Sequence, residues 1–585
     1  MPELIHSNPC RKINLFHPIF ILIIFFIIIS GVKILCSALI TSPQIFADEL
    51  AYDTLAKQIY SGALLTSHLP YPPGPFSPGY SFFVSFAYLL SPDKYAVYHY
   101  ALIINAFLTT TIIFPAYYLL KPVTSRAVAV SGALLVTLLP AITMNTFFLM
   151  SEALFIPLTL FSVLFVQRSL STNEPGVWDV LAGLSVFVLF FTRATGISMV
   201  IGLAIAVIWF LKSNRFQIEN PTITKLTLLA GPGIMLYLVW IVDQLLMKGA
   251  LPAGYSISYY SNLVSDALIH DPGHLIYVIL EHLDYLLLGS FVIFPLLALM
   301  YWYSAIRSPG GGAIHENRNK TGIEEDQSPP ISGIFYCTVT SLILFLFTIA
   351  HMCNLSYDYS ICGRYLDAVI PLIIIGGIIG LNQQISTGNS LRFLKIATVY
   401  LIFTWIITNY SMLPFAHQPN NNAAIFYLYT LTAAYIVPYL SILLGIVLVI
   451  LTAVIIRMQK GMTLLMILII IIAAFCSLSI SIWDIKTTKE YGSLLPFCQS
   501  VNQLDTNSKE ILWDTASESD SWDRMVYYTL KFWLGDRVTE LPEGSKPPKD
   551  GWLITKKTNE KPVIQYKDYL VVPMKGTTSP SSSVS

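Results

Sequence analysis

Residues 46–62 read FADELAYDTLAKQIYSG and follow directly on the first long apolar run of the chain, 15–40. Within them Tyr52, Leu55, Ala56 and Ile59 recur at helical spacing, Asp53, Lys57 and Gln58 share the other face, and Gly62 ends the pattern. That pattern predicts a short amphipathic helix lying along a membrane surface rather than a further span. Its first turn carries two adjacent carboxylates, Asp48 and Glu49. Asp is a favoured N-cap and Glu suits the positive end of the helix dipole, so both acids have a structural use. Acids held at a fixed depth beside lipid also have a chemical one. The surrounding sequence bears on the choice.

The whole chain argues for lipid. Of its 585 residues 55% are hydrophobic and only 12% charged, with a mean hydropathy of +0.64. A soluble protein of this size cannot hide that much apolar surface. Lys+Arg and Asp+Glu balance at 34 each, which argues against nucleic acid or another bulk polyanion as the main partner. Seven cysteines show no CxxC spacing, so neither a zinc site nor a disulfide scaffold is indicated. Arg11 and Lys12 ahead of the first apolar run resemble a signal peptide, but no small-residue cleavage site follows, and the run reads as a retained anchor.

Segments able to span fall near 15–40, 96–120, 127–147, 153–170, 177–192, 195–211, 225–246, 284–305, 334–352, 367–382, 393–412, 427–456 and 462–482. The expectation is an α-helical polytopic membrane protein of about thirteen transmembrane helices. Loops on the N-terminal side collect most of the basic residues, among them Lys121, Arg126, Lys212, Arg307, Arg392, Lys395 and Arg457. By the positive-inside rule the N-terminus is cytoplasmic, and 41–95, 247–283, 353–366 and the tail after 482 are extracytoplasmic. The transmembrane body is thus 1–482. The tail 483–585 has soluble character: EILW, RVTEL, GWLITKK and YLVVPM read as strands, and SWDRMVYYTLKFWLG as a helix capped by Ser521 and ended by Gly535. It forms a small C-terminal α/β domain closing in a disordered GTTSPSSSVS. The cytoplasmic segment 307–333, rich in Gly, Pro and mixed charge, reads as a flexible linker.

The loop 41–95 continues as HLPYPPGPFSPGYSFFVSFAYLL from His68. Its many prolines fix φ and remove donors, giving a stiff path rather than a loose connector. A first span, then Asp-Glu-x-x-Tyr-x-x-x-Ala at 48–56, then this PPG…PGY stretch, resembles the first external loop of GT-C fold glycosyltransferases. The similarity is greatest to the branch that includes protein O-mannosyltransferases and the lipid A aminoarabinose transferase. The resemblance implies transfer of a sugar from a polyprenyl-phosphate carrier to a glycan, lipid or protein acceptor, with Asp48 as the catalytic acid-base residue and Glu49 beside it.

Three later stretches are similar to the same family. SEALF places Glu152 at the outer edge of a span, where an acid is costly and needs a reason; the structural alternative is an interfacial helix cap. FFTRATG resembles the family's Thr-Arg-x-x-Gly break and puts Arg193 on the outer side, to meet a phosphate or snorkel to headgroups. CGRYLDAVIP resembles its Arg-Tyr-x-x-x-x-x-Pro element and makes Arg364, with Tyr365, the foremost donor-phosphate candidate, since a guanidinium pairs two phosphate oxygens at once. Tyr52, His68 and Tyr80, with Tyr255 and Tyr259 from the loop 247–283, are candidates to line the substrate pocket, though tyrosine is also ordinary at a membrane interface. His270, Asp271 and His274 match no strong ligand spacing, so no metal is assigned and a divalent ion stays open. Cys353 and Cys362 bracket the Arg364 loop, as an external disulfide or, more simply, two thiols. One base without an evident nucleophile implies inversion at the anomeric carbon. The rival readings are a lipid or sugar transporter, which usually carries charge near the midplane, and a non-catalytic lipid-binding subunit.

Overall fold

The computed structural model describes residues 18–44, 46–62, 76–213, 220–248, 262, 265, 272–307, 331–353, 362–411, 422–425, 428, 436–504, 510–518, 521–542, 544–545, 551–556 and 562–574. Among them, ten helices are long and apolar enough to cross a membrane, eleven if one bent pair counts as a span. The chain is a multi-pass membrane protein. Its first span, Pro18–Ser37, leaves Ile24, Ile27, Ile28 and Leu35 exposed on the outside of the bundle, as side chains facing acyl chains are. Lys33 on the same helix turns inward and donates to Thr109 (2.9 Å).

The lower span count has local causes. The expected span 127–147 breaks after Thr137: Pro140, which has no N–H to give, opens a separate short helix, Pro140–Met144. The buried irregular chain after it delivers Glu152 to the start of the helix Glu152–Ser169. The expected span 284–305 straddles the break of a helix pair, Pro272–Gly289 and Ile293–Arg307, bent by 99°. At the bend Phe291 and Val292 sit at φ 58° and 57°, a left-handed conformation that is rare for a β-branched residue. Part of the span expected at 427–456 lies outside the described residues, as does nearly all of the linker 307–333; the later helix is Val437–Met458. The last span runs to Gly492, past its expected end at 482.

The loop 41–95 holds two helices, Phe46–Tyr60 and Pro78–Leu90. Tyr52, Leu55, Ala56 and Ile59 are buried as their spacing predicts. The opposite face differs from the expectation: Asp53 is buried too, because Lys94 and Tyr88 both engage its carboxylate. The exposed positions of this helix are Lys57 and Tyr60.

After the helix Leu495–Asn502 the tail forms β1 (Ile511–Asp514), β2 (Val538–Leu541), β3 (Trp552–Thr555), β4 (Ile564–Tyr566) and β5 (Tyr569–Pro573), with sheet order β2-β1-β3-β5-β4. β1 runs parallel to β2 and β3, and β5 is antiparallel to β3 and β4. The short strand β4 carries no alternation that sequence reading picked up. Ser521 opens the helix Ser521–Leu534 as its first residue rather than preceding it as a cap; Gly535 ends it at φ 64°. The terminal GTTSPSSSVS lies outside the described residues. This helix packs on the surface helix Phe46–Tyr60, and Phe532 and Trp533 meet Tyr98 edge-on while Lys94 lies 4.4 Å over the Phe532 ring. The appended domain therefore sits at the same end of the bundle as Asp48.

Candidate active site

Four separate segments deliver charge to that end. Asp48 lies in the first turn of Phe46–Tyr60 and Glu152 opens its own helix. Arg193 occupies the break between Val177–Thr192 and Ile197–Ser213, and Arg364 a single 3-10 turn, Gly363–Leu366, ahead of Val369–Thr387. Glycines permit both arginine turns. A Cβ at Gly196 would lie 2.5 Å from the Leu189 carbonyl oxygen, and one at Gly363 would lie 2.4 Å from the Tyr285 ring.

The side chains converge. Arg364 Nη2 donates to Asp48 Oδ2 at 2.8 Å, and its Nε stands 3.9 Å from Glu152 Oε1. Glu152 pairs directly with Arg193, whose guanidinium lies 4.6 Å from the centre of the Tyr365 ring. Tyr52 donates to Ser151 Oγ (2.9 Å), which donates to Glu152 Oε2 (3.3 Å). The Tyr80 ring meets Tyr52 edge-on, and its hydroxyl donates to Asn105. The acids differ in access: the Asp48 side chain is 25% exposed and that of Glu152 1%. Burial opposes both guanidinium charges, but the facing acids, Glu152 for Arg193 and Cys362 and Asp48 for Arg364, hold both above the ordinary arginine range. Burial likewise pushes the Tyr365 phenol up to about 12. Arg364 Nε and Nη1 are buried with no hydrogen-bond partner among the described residues. The site thus presents unspent guanidinium donors beside one reachable carboxylate, which suits an anion and a hydroxyl brought together.

No family model matches the chain, and no curated protein matches it in sequence. Its shape has relatives. ArnT from Cupriavidus metallidurans bound to undecaprenyl phosphate superposes with a TM-score of 0.54 at 12% identity, over 94% of this chain and 97% of that one. The apo state of that protein gives 0.51 at 13% identity over the same shares. The chain has the GT-C fold. An oligosaccharyltransferase from Archaeoglobus fulgidus aligns loosely, with a TM-score of 0.36 over 72% of this chain.

Not every predicted residue joins the cluster of this GT-C chain. Glu49 is fully buried and turned away: Oε1 accepts from the Gln44 amide (2.7 Å) and Oε2 from the Leu149 amide (3.0 Å). It ties the surface helix to the chain before Glu152. Asp48 is the third residue of its helix and engages Arg364, and Glu152 engages Arg193. Cys353 and Cys362 are not joined to each other as a disulfide. His68, Tyr255, Tyr259, Tyr260, His270 and Asp271 lie outside the described residues. Among those described, no three His, Cys, Asp or Glu side chains group to hold a metal ion.

Sequence reading missed Asp367, three residues past Arg364. It is buried, accepts from the Tyr285 hydroxyl through Oδ1 (2.5 Å), and burial lifts its carboxyl to about 7. An acid one helical turn from a recognised arginine was the available signal. His351 was also missed; its ring meets Tyr365 edge-on at 5.3 Å.

Proposed function

We propose that this protein is a membrane glycosyltransferase that moves a sugar from a polyprenyl-phosphate carrier to an acceptor on the extracytoplasmic side. The observation that carries this reading is the single cluster of Asp48, Arg364, Glu152 and Arg193, drawn from four segments to one end of the bundle. The shared fold with a protein bound to undecaprenyl phosphate supports the same lipid class as donor. The positive-inside bias supports a cytoplasmic N-terminus, which makes that end extracytoplasmic.

Asp48 is the proton acceptor because it alone of the three acids pairs charge with access. It takes the proton of the acceptor hydroxyl as that oxygen bonds to the anomeric carbon. The bond from that carbon to the phosphate oxygen breaks, and its electrons stay with the leaving phosphate. Arg364, through Nε and Nη1, which make no hydrogen bond among the described residues, stabilises the charge that grows there. Arg193, stacked on Tyr365 and held by Glu152, supplies a second positive charge. Glu152 thereby serves as the anchor of Arg193, and Glu49 positions the helix that bears Asp48. A single displacement inverts the anomeric configuration. Tyr52, with the Tyr80 ring against it, supports Glu152 through Ser151.

The test is release of polyprenyl phosphate from a sugar-loaded carrier by the purified chain in liposomes. Asp48→Asn is expected to insert and fold normally and to lose transfer. Activity retained in that variant refutes the assignment.

A further inference from the structure

The turn that carries Arg364 is held mainly from outside itself. Gly363–Leu366 is a single 3-10 turn, and the backbone bonds at its two ends are long: Tyr365 N–H to the Cys362 carbonyl and Asp367 N–H to the Arg364 carbonyl are both 3.3 Å. A 3-10 turn has poor hydrogen-bond geometry of its own, so its neighbours decide how firmly it stands. Those neighbours are Tyr285, on the helix Pro272–Gly289, and residues 422–424. The Tyr285 ring occupies the space where a side chain at Gly363 would begin, 2.4 Å from a Cβ there. Its hydroxyl donates to Asp367 Oδ1 (2.5 Å) and accepts from the Ala424 amide (3.3 Å). The Gly363 amide, at the entry to the turn, donates to Asn422 Oδ1 (3.1 Å). Tyr285, Gly363, Leu366 and Asp367 are all buried.

In a 3-10 turn residues three apart eclipse one another, so Arg364 and Asp367 stand on the same edge. Fixing Asp367 therefore fixes the direction in which the Arg364 side chain leaves the backbone, and from that edge it reaches Asp48 Oδ2 at 2.8 Å. We propose that Tyr285 is a positioning residue for the transfer reaction: its ring and hydroxyl lock both ends of the turn and so aim Arg364 at the leaving phosphate. This role rests on the transferase reading. A small pivot of the turn is magnified along the long arginine side chain, and misplacement by about 1 Å costs on the order of 10²-fold in rate. Asn422 grips the entry alone, whereas Tyr285 touches the entry through its ring and the exit through its hydroxyl. A tyrosine that only satisfied the buried Asp367 carboxyl would affect stability without acting through Arg364.

The experiment measures transfer by the purified full chain in liposomes for wild type, Tyr285→Phe, Arg364→Lys and the double variant. Tyr285→Phe keeps the ring against Gly363 and drops the hydroxyl; its kcat is expected to fall about ten- to a hundredfold. In the Arg364→Lys background the same change is expected to cost less than about twofold, because a fork already lost cannot be misaimed. Equal losses in both backgrounds overturn the proposal in favour of a purely structural tyrosine, and so does wild-type kcat in Tyr285→Phe. Asp367→Leu, which removes the acceptor, is expected to fall as far as Tyr285→Phe, and Asp367→Asn, which still accepts, clearly less. If Tyr285→Phe does not fold, this pair decides, and equal losses in the two overturn the proposal. A wild-type chain that releases no polyprenyl phosphate refutes the transferase reading instead. The same four proteins are then compared for affinity toward undecaprenyl phosphate in detergent. There the loss of the hydroxyl is expected to weaken binding by about fivefold beside Arg364 and not beside Lys at that position. Binding that is absent, or unchanged by Tyr285→Phe, overturns the proposal.

Discussion

The helices Glu152–Ser169 and Val177–Thr192 carry a buried ion pair at each of their two ends, and the two pairs are built differently. At one end Lys225 donates to Asp179 Oδ1 (2.6 Å) and to the Ser169 carbonyl (2.6 Å). Asp179 also accepts from the Ser169 hydroxyl and, through Oδ2, from the Gly176 amide (2.7 Å). Each charge there is spent on the fold, and neither side chain is more than 2% exposed. At the other end Arg193 meets Glu152 and Arg364 meets Asp48, yet two Arg364 nitrogens make no hydrogen bond among the described residues and Asp48 keeps access to the outside. A closed network stabilises; an open one of the same residue types is poised for a ligand. Burial of charge alone does not mark a site, but incomplete satisfaction beside an accessible acid does.

That contrast is open to attack. The largest effect expected is at the open end, where Asp48→Asn lowers the transfer rate by at least about 10²–10⁴ without lowering the unfolding temperature. Arg364→Lys keeps the charge but loses the planar fork, and a loss of about 10²-fold in kcat is expected in the same liposome assay. At the closed end Lys225→Met leaves Asp179 buried without its cation and is expected to cost about 3–5 kcal/mol of stability, read by thermal unfolding. Adding Asp179→Leu should recover much of that loss, since neither half of the pair is then stranded. If Lys225→Met instead lowered kcat with unfolding unchanged, the two ends would not differ in the way described here.

A smaller effect sharpens the boundary between the two kinds of network. Asp367 has its carboxyl lifted to about 7 by burial, against about 4 in an unfolded chain. Between those values the folded protein holds a proton that the unfolded one releases. Stability contributed by that proton is full below pH 4 and is lost as pH rises to about 7. Asp367→Asn, which still accepts from Tyr285, is expected to flatten this fall, worth on the order of a few kcal/mol. An unchanged pH profile in that variant would mean that Asp367 is ionised in the folded protein.

Much of the architecture was legible before any coordinates. Apolar runs of span length announce themselves locally, and so do the basic residues that flank them. What misled was continuity: the run 127–147 is uncharged throughout, yet Pro140 breaks its hydrogen-bond ladder, and 284–305 straddles a bend. Asp48, Glu152, Arg193 and Arg364 were each legible because charge at the edge of an apolar segment needs a reason. Asp367 was passed over although it stands at the edge of the expected span 367–382, one turn from Arg364; its contact with Tyr285 shows what holds it there.

By itself, then, the sequence determined that this chain crosses a membrane many times, carries a surface helix after its first span, and keeps its unusual charges at span ends. Those properties follow from hydropathy and charge within a window of about twenty residues. The division of labour among the acids belonged to the tertiary structure. Asp48 and Glu49 are neighbours in the chain but point about 100° apart on a helix. One therefore meets the guanidinium of Arg364, some three hundred residues later, and the other meets backbone amides. Such a partner is set by packing between distant segments, which no local pattern encodes.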